Sequence, residues 1–143
     1  MLSIVESRDT DLPHLRELFL NERRRTFTEQ DISEFELDDF DKQTQGEYIL
    51  TALVNNIPVG FISIWMPNNF IHHLYIDTKY QGKNIGTELL KAAIQKTTFP
   101  ITLKCLESNS KAIEFYIKKG FKEKSKGHSS NGTYILFELT KEI

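Results

Sequence analysis

A chain of 143 residues with 39% hydrophobic and 27% charged side chains has the length and balance of one globular domain rather than of a disordered segment. A formal net charge of −2 provides no basic surface for nucleic acid. The single cysteine, Cys105, excludes an intramolecular disulfide framework.

Glu6 interrupts the apolar run Leu2-Ser3-Ile4-Val5 before it reaches signal-peptide length, and no stretch approaches the ~18 apolar residues of a membrane span. A cytoplasmic protein is therefore expected, with one domain over residues 1–143. Leu2–Val5 reads as a first strand. Asp9-Thr10-Asp11 supplies helix cap groups ahead of Pro13, and Leu12, Leu15, Leu18 and Phe19 follow at helical spacing. The polar stretch 23–42, with Phe27, Ile32, Phe35, Leu37 and Phe40 interspersed, reads as one or two short helices with loops. Tyr48–Val54 and Val59–Trp65 make a hairpin, because Asn55-Asn56 tolerates the positive φ of a tight turn. Pro67-Asn68-Asn69 breaks the return strand, and Phe70–Ile76 is another.

The pattern then changes period. Ile85, Leu89 and Ala93, with Leu90 and Ile94, repeat every four residues as in an amphipathic helix, which Phe99-Pro100 is expected to end. Ile101–Leu106 is a strand. Asn109 can cap a helix through Lys119, with Gly120 where a helix-ending glycine belongs. Phe121–Lys124 starts a late strand, Ser129–Gly132 turns, and Tyr134–Leu139 is the last strand. The strand–helix–strand unit from Phe70 to Leu106 requires a parallel pairing. The fold class is thus α+β: a mixed, mostly antiparallel sheet of about seven strands, helices on both faces, and a parallel βαβ core.

Inside that unit lies Tyr80-Gln81-Gly82-Lys83-Asn84-Ile85-Gly86-Thr87. A strand-to-helix turn of small residues aims free backbone N–H groups and the positive helix end at one spot, which suits an anion. Gly82 and Gly86 would let a phosphate approach closely, and Lys83 adds charge. The spacing matches neither the Walker pattern nor the three-glycine dinucleotide fingerprint. Glycines for packing at a helix start would look the same.

The turn resembles motif A of the GCN5-related N-acetyltransferases (the GNAT family), Gln/Arg-x-x-Gly-x-Gly/Ala, with Gln81, Asn84 and Gly86 at its three positions. Asn84 replaces the usual glycine, and asparagine is the next best residue for left-handed backbone. Phe70–Asp77 resembles the family's fourth strand. Asn109-Ser110-Lys111-Ala112-Ile113-Glu114-Phe115-Tyr116-Ile117-Lys118-Lys119-Gly120-Phe121 resembles its Asn-x-x-Ala-x-x-Phe-Tyr-x-x-x-Gly-Phe helix.

That resemblance implies acetyl-CoA as donor substrate and no metal. Backbone groups of Leu74, Tyr75 and Ile76 would hold the pantetheine arm, one N–H stabilising the oxyanion. The N–H groups of Gln81, Gly82, Lys83, Asn84, Ile85, Gly86 and Thr87 would cradle the pyrophosphate. Asn109 would both touch the arm and cap its helix. Tyr116 would protonate the departing thiolate, a role open to a phenol of ordinary pKa ~10, although a tyrosine beside Phe115 also reads as core. An acceptor ammonium must lose a proton before it attacks. His72 is the expected base, sharing strand parity with Leu74 while His73 points to the other face. Either histidine could instead be a half-buried strand residue, and Glu107 acting through water is the rival base.

Seven acids fall in residues 29–41: Glu29, Asp31, Glu34, Glu36, Asp38, Asp39 and Asp41. The family's early helices roof the acceptor site, so an acidic roof would attract a cationic amine; a solvated helix face reads equally well. Arg23-Arg24-Arg25 could read an acceptor carboxylate or the 3′-phosphate of coenzyme A, or pair with those acids. Phe27, Phe35, Phe40 and Trp65 could line an apolar acceptor pocket or simply pack. Cys105 reads as a small buried hydrophobe, not a nucleophile. The leading reading is an acetyl-CoA-dependent N-acetyltransferase acting on a primary amine of a small molecule in a ternary complex, with neither nucleic acid nor membrane as partner. A non-catalytic acyl-CoA sensor and a protein or peptide N-acetyltransferase are the alternatives. Exposed edge strands leave a homodimer open.

Overall fold

A computed structural model describes residues 1–27 and 32–143. Its elements are β1 (Leu2–Glu6), α1 (Leu12–Thr26), α2 (Asp39–Gln43), β2 (Tyr48–Val54), β3 (Ile57–Trp65), β4 (Phe70–Ile76), α3 (Ile85–Ile94), β5 (Ile101–Leu106), α4 (Ser110–Lys118), β6 (Lys122–Ser129) and β7 (Gly132–Leu139). The seven strands form one sheet in the order β1-β2-β3-β4-β5-β7-β6. Every neighbouring pair is antiparallel except β4 and β5, as the helix crossover between them requires.

Burial follows position in the sheet. β3 is buried continuously from Pro58 to Ile64 because helices cover both its faces. β6 lies at an edge, exposes nearly every residue and carries Lys122, Lys124 and Lys126, charges that discourage further strand pairing. Two apolar layers result. Leu15, Leu18 and Phe19 of α1 and Phe40 of α2 pack on Phe61 on one face. Leu89, Leu90 and Ala93 of α3 and Tyr116 of α4 join Ile62, Ile64, Leu103 and Phe137 in the other layer. The Asn55-Asn56 turn has φ of 52° and 65°, and Gly120 ends α4 at φ 98°.

Three local expectations shift. Asp11 does not cap α1; its carboxylate instead accepts from the Arg8 backbone N–H at 3.1 Å and pairs with the Arg8 guanidinium at 2.9 Å. α3 stops at Ile94, ahead of Phe99-Pro100, because the Lys96 N–H and the Thr97 hydroxyl both donate to the Ala93 carbonyl. Within 23–42, α1 runs on to Thr26, and a 3-10 turn at Ile32–Glu34 and α2 follow. Among the described residues, no helix is long and apolar enough to cross a membrane.

Candidate active site between two diverging strands

β4 and β5 pair only at Phe70↔Thr102 and Ile71↔Leu103. Beyond that point β4 stays on β3 through Gly60↔Ile76, and β5 stays on β7 through Leu106↔Tyr134. The two parallel strands therefore part, and the backbone N–H and C=O groups of Leu74 and Ile76 line a slot. Those of Tyr75, opposite Phe61 in the ladder, turn to β3 and, contrary to the expectation from sequence, are not open to it. One group there is already engaged: the Ile76 carbonyl accepts from Gln81 Nε2 at 3.0 Å.

The turn beyond β4 is held from several sides. A 3-10 turn at Thr78–Tyr80 leads to Gly82 at φ 79° and Asn84 at φ 63°, ψ 15°, and α3 starts at Ile85. Asn84 thus adopts the left-handed geometry, but its side chain makes no capping bond. Among the described residues, no backbone carbonyl accepts from the N–H groups of residues 82 to 87, so they and the helix dipole form a positive spot. Lys83 Nζ lies 5.3 Å from the Tyr80 ring, and Lys111 Nζ donates to Gln81 Oε1 at 2.9 Å. Gly86 faces the Phe115 ring of α4, and a Cβ there would meet it at 3.5 Å, an ordinary contact, so packing alone does not require the glycine. From below, Glu22 of α1, 6% exposed, accepts from the Thr78 N–H and hydroxyl and from Gln81 Nε2.

Asn109 caps α4, its Oδ1 accepting from the Ala112 N–H at 3.2 Å. Tyr116, 9% exposed, packs against Phe121 and Phe137 with ring centroids 5.4 and 6.2 Å away. Burial, then the nearby Cys105 thiol and Tyr75 phenol, raise its pKa well above the ordinary phenol value. Burial pushes Tyr75 up to about 12 and Cys105 up to about 11. Three weak acids thus meet near the slot, all of them protonated at neutral pH.

The histidines depart from strand alternation. Ser63 pairs with His73 and Ile64 with Ile71, so His72 is the extra residue of a β-bulge. His72 consequently lies on the face of His73 and does not share parity with Leu74, whereas His73 does face away from Leu74, toward Phe19 and Tyr75. Their rings stack at 3.9 Å and 29°. His73 is buried against Phe19 at 4.9 Å. Burial, and then His72 and Arg23, depress its pKa to about 3. His72 stays 38% exposed and its Nδ1 lies 2.6 Å from Glu47 Oε2. The Glu47 side chain is only 6% exposed. Glu47 Oε1, Ser63 Oγ and His73 Nε2 are buried without a hydrogen-bond partner among the described residues. Sequence reading missed Glu47; its one signal is alternation with Ile49 and Thr51, which face inward on β2.

Glu47, His72 and His73 each offer one ligand atom within 4.8 Å of the others. A metal must lie in the plane of each ligating imidazole at ~2 Å. Stacked rings hold those planes side by side, so the trio does not suit an ion. Glu107, the rival base, is half exposed and paired with Lys126 at 2.9 Å.

Among the described residues of the acidic stretch, Asp38, Asp39 and Asp41 are paired. Arg23 binds Asp39 at 3.0 Å, Arg16 binds Asp41 at 2.8 Å, and Lys42 lies 3.5 Å from Asp38. Glu29 and Asp31 fall outside the described residues. The Arg23 guanidinium is wedged 4.1 Å from the Phe19 ring and 4.5 Å from the Phe35 ring. Phe40 is core, whereas Trp65 is 41% exposed.

Residues 12–121 match the acetyltransferase (GNAT) family. An uncharacterized N-acetyltransferase of Methanocaldococcus jannaschii is 34% identical over 84 residues, or 50% of this chain; the chain spans only 37% of that relative's length. Apo YjaB from Escherichia coli superposes with a TM-score of 0.80 at 20% identity, covering 96% of this chain and 97% of its own. The PaiA N-acetyltransferase of Thermoplasma acidophilum, solved with coenzyme A, gives 0.79 at 22% identity with 99% of each chain covered. The ribosomal-protein-S18-alanine N-acetyltransferase of Escherichia coli gives 0.75 at 20% identity, covering 100% of this chain and 96% of its own. At such identities the structural likeness is one of fold.

Proposed function

Because the chain belongs to the GNAT family of acetyltransferases, we propose that residues 1–143 act as one N-acetyltransferase domain. It would move the acetyl group of acetyl-CoA to a primary amine by direct attack in a ternary complex. The observation that carries this reading is the slot: it opens where β4 and β5 diverge and runs into a helix N-terminus with free N–H groups.

In this reading the pyrophosphate sits on the N–H groups of residues 82 to 87, with Lys83 and Lys111 beside it. Gln81 acts through its side chain, tying the turn to β4 and α4. The pantetheine arm adds to the open edge of β4 at Leu74 and Ile76, next to Asn109. Tyr116 donates a proton to the leaving thiolate; its raised pKa keeps that proton in place until the C–S bond breaks. His72 takes the proton of the incoming amine. The acceptor is a small amine, drawn by the buried carboxylate of Glu47 at the bulge.

The test is a screen for thiol release from acetyl-CoA over polyamines, amino acids, aminoglycosides and short peptides, with calorimetry for acetyl-CoA binding. Turnover with one class names the acceptor. Acetyl-CoA binding without thiol release from any of them would mean a sensor. Tyr116→Phe should lower kcat by about 10²-fold at saturating acetyl-CoA while leaving its affinity in place; unchanged turnover would end the general-acid assignment.

A further inference from the structure

We propose that Glu47 is a positioning residue: it holds His72 in the tautomer that carries the proton on Nδ1, leaving Nε2 free to take a proton from the acceptor amine. This rests on the reading of His72 as the base.

The geometry is specific. A carboxylate oxygen can only accept, so a 2.6 Å contact from Glu47 Oε2 to His72 Nδ1 requires the hydrogen to sit on Nδ1. The neutral ring then has its lone pair on Nε2. The bulge makes the pairing feasible, since it lifts His72 out of the β3 register beside His73. Stacking on His73 fixes the plane of the ring. The two ends of the pair differ in solvation: Glu47 is 6% exposed and His72 is 38% exposed. The dry carboxylate is thus the anchor, and the half-open imidazole is the part an acceptor can reach. His73, held neutral by burial, places no positive charge beside the imidazolium that forms.

The proton balance closes. His72 Nε2 takes one proton from the alkylammonium, and Glu47 stabilises the resulting imidazolium. The amine nitrogen attacks the acetyl carbonyl, and the tetrahedral intermediate breaks its C–S bond as the thiolate takes the Tyr116 proton. The second N–H proton of the new amide returns to the Tyr116 oxygen, and His72 gives its proton to solvent. The net products are amide, free thiol and one proton.

The experiment reads the tautomer directly by side-chain nitrogen NMR of the full chain, using His72→Gln to assign the signal. Wild type should show His72 protonated at Nδ1 and bare at Nε2, and Glu47→Gln should give mixed tautomers. Thiol release from acetyl-CoA is followed in parallel, with spermidine and with a hexapeptide bearing a free N-terminal alanine. Glu47→Gln should lower kcat by about 10-fold or more without raising KM for acetyl-CoA, Glu47→Asp should recover part of it, and adding Glu47→Gln to His72→Gln should cost nothing further in kcat at saturating acceptor. A wild-type His72 protonated at Nε2, or a tautomer indifferent to residue 47, overturns the proposal whether or not either acceptor turns over. A locked tautomer with undiminished turnover in His72→Gln overturns the base reading instead, leaving Glu47 a structural partner. Should Glu47→Gln fail to fold, the wild-type spectrum and Glu47→Asp decide.

Discussion

Glu22 of α1 accepts from the backbone N–H of Thr78 at 3.2 Å and from its hydroxyl at 2.9 Å, across 56 residues of sequence. A helix on one face of the sheet thereby fixes the turn that presents the free N–H groups on the other. Glu22→Ala removes those bonds and the one from Gln81 Nε2. Bonds to a charged acceptor contribute about 1.5–3 kcal/mol each when buried, with partial compensation by water here. Denaturant melts should show a loss of about 2 kcal/mol, and calorimetry an acetyl-CoA Kd about tenfold weaker. Unchanged affinity would mean that the turn needs no support from α1.

Asn84 holds φ 63° at the start of α3 without a capping bond. Its contribution is therefore backbone tolerance. Asn84→Gly should leave stability within a few tenths of a kcal/mol, whereas Asn84→Ala should cost about 1 kcal/mol, since a Cβ strains left-handed backbone and alanine lacks asparagine's local compensation. Thermal melts of the two variants separate backbone tolerance from a side-chain role. Equal melting temperatures would argue for the side chain.

His73 sets a pH dependence of known sign. Its folded pKa is about 3 against an ordinary value of 6.5. Above pH 6.5 both folded and unfolded states are neutral and the burial is free of proton cost. As pH falls from 6.5 toward 3, only the unfolded chain takes up the proton, so stability drops by about 1.4 kcal/mol per pH unit from this group. His73→Phe should remove that slope. Urea titrations of both proteins at pH 7 and pH 5 measure it, and parallel losses would contradict the burial argument.

Cys105 is buried with its thiol pushed up to about 11 from an ordinary 9.0. Its thiolate fraction near pH 8 should be ~10²-fold below that of a free thiol, so iodoacetamide should label the native chain slowly and the unfolded chain fast. Direct transfer also requires Cys105→Ala to keep its turnover, which thiol release from acetyl-CoA will show. An acyl group recovered on Cys105 after mixing with acetyl-CoA would refute direct transfer.

Local chemistry was legible along the chain. Phe70–Ile76 and Ile101–Leu106 match their strands residue for residue, and Asn55-Asn56, Asn109 and Gly120 sit where turn and cap geometry called for them. Such signals depend on neighbours one to four residues away. The β4–β5 crossover follows from chain direction alone. The 80–87 turn and the 109–121 helix also fall where the family resemblance put them in the order of elements.

The bulge at His72 was not legible, because it belongs to the pairing of β4 with β3 rather than to either strand. One extra residue there reverses the alternation on which the parity of His72 and Leu74 was argued. Nor did the sequence single out Glu47 or Glu22, whose partners lie 25 and 56 residues away. Pairing of the acids with Arg23-Arg24-Arg25 was one reading of the sequence, and Arg23 does take Asp39, but the sequence did not show that Arg16 takes Asp41. The sequence by itself determined the order of elements, the turn with its free N–H groups and the helix bearing Tyr116, since these rest on periodicity and local backbone preference. Only the tertiary structure decided which carboxylates are spent, which histidine is open and what holds it, because those depend on side chains that meet after the sheet has closed.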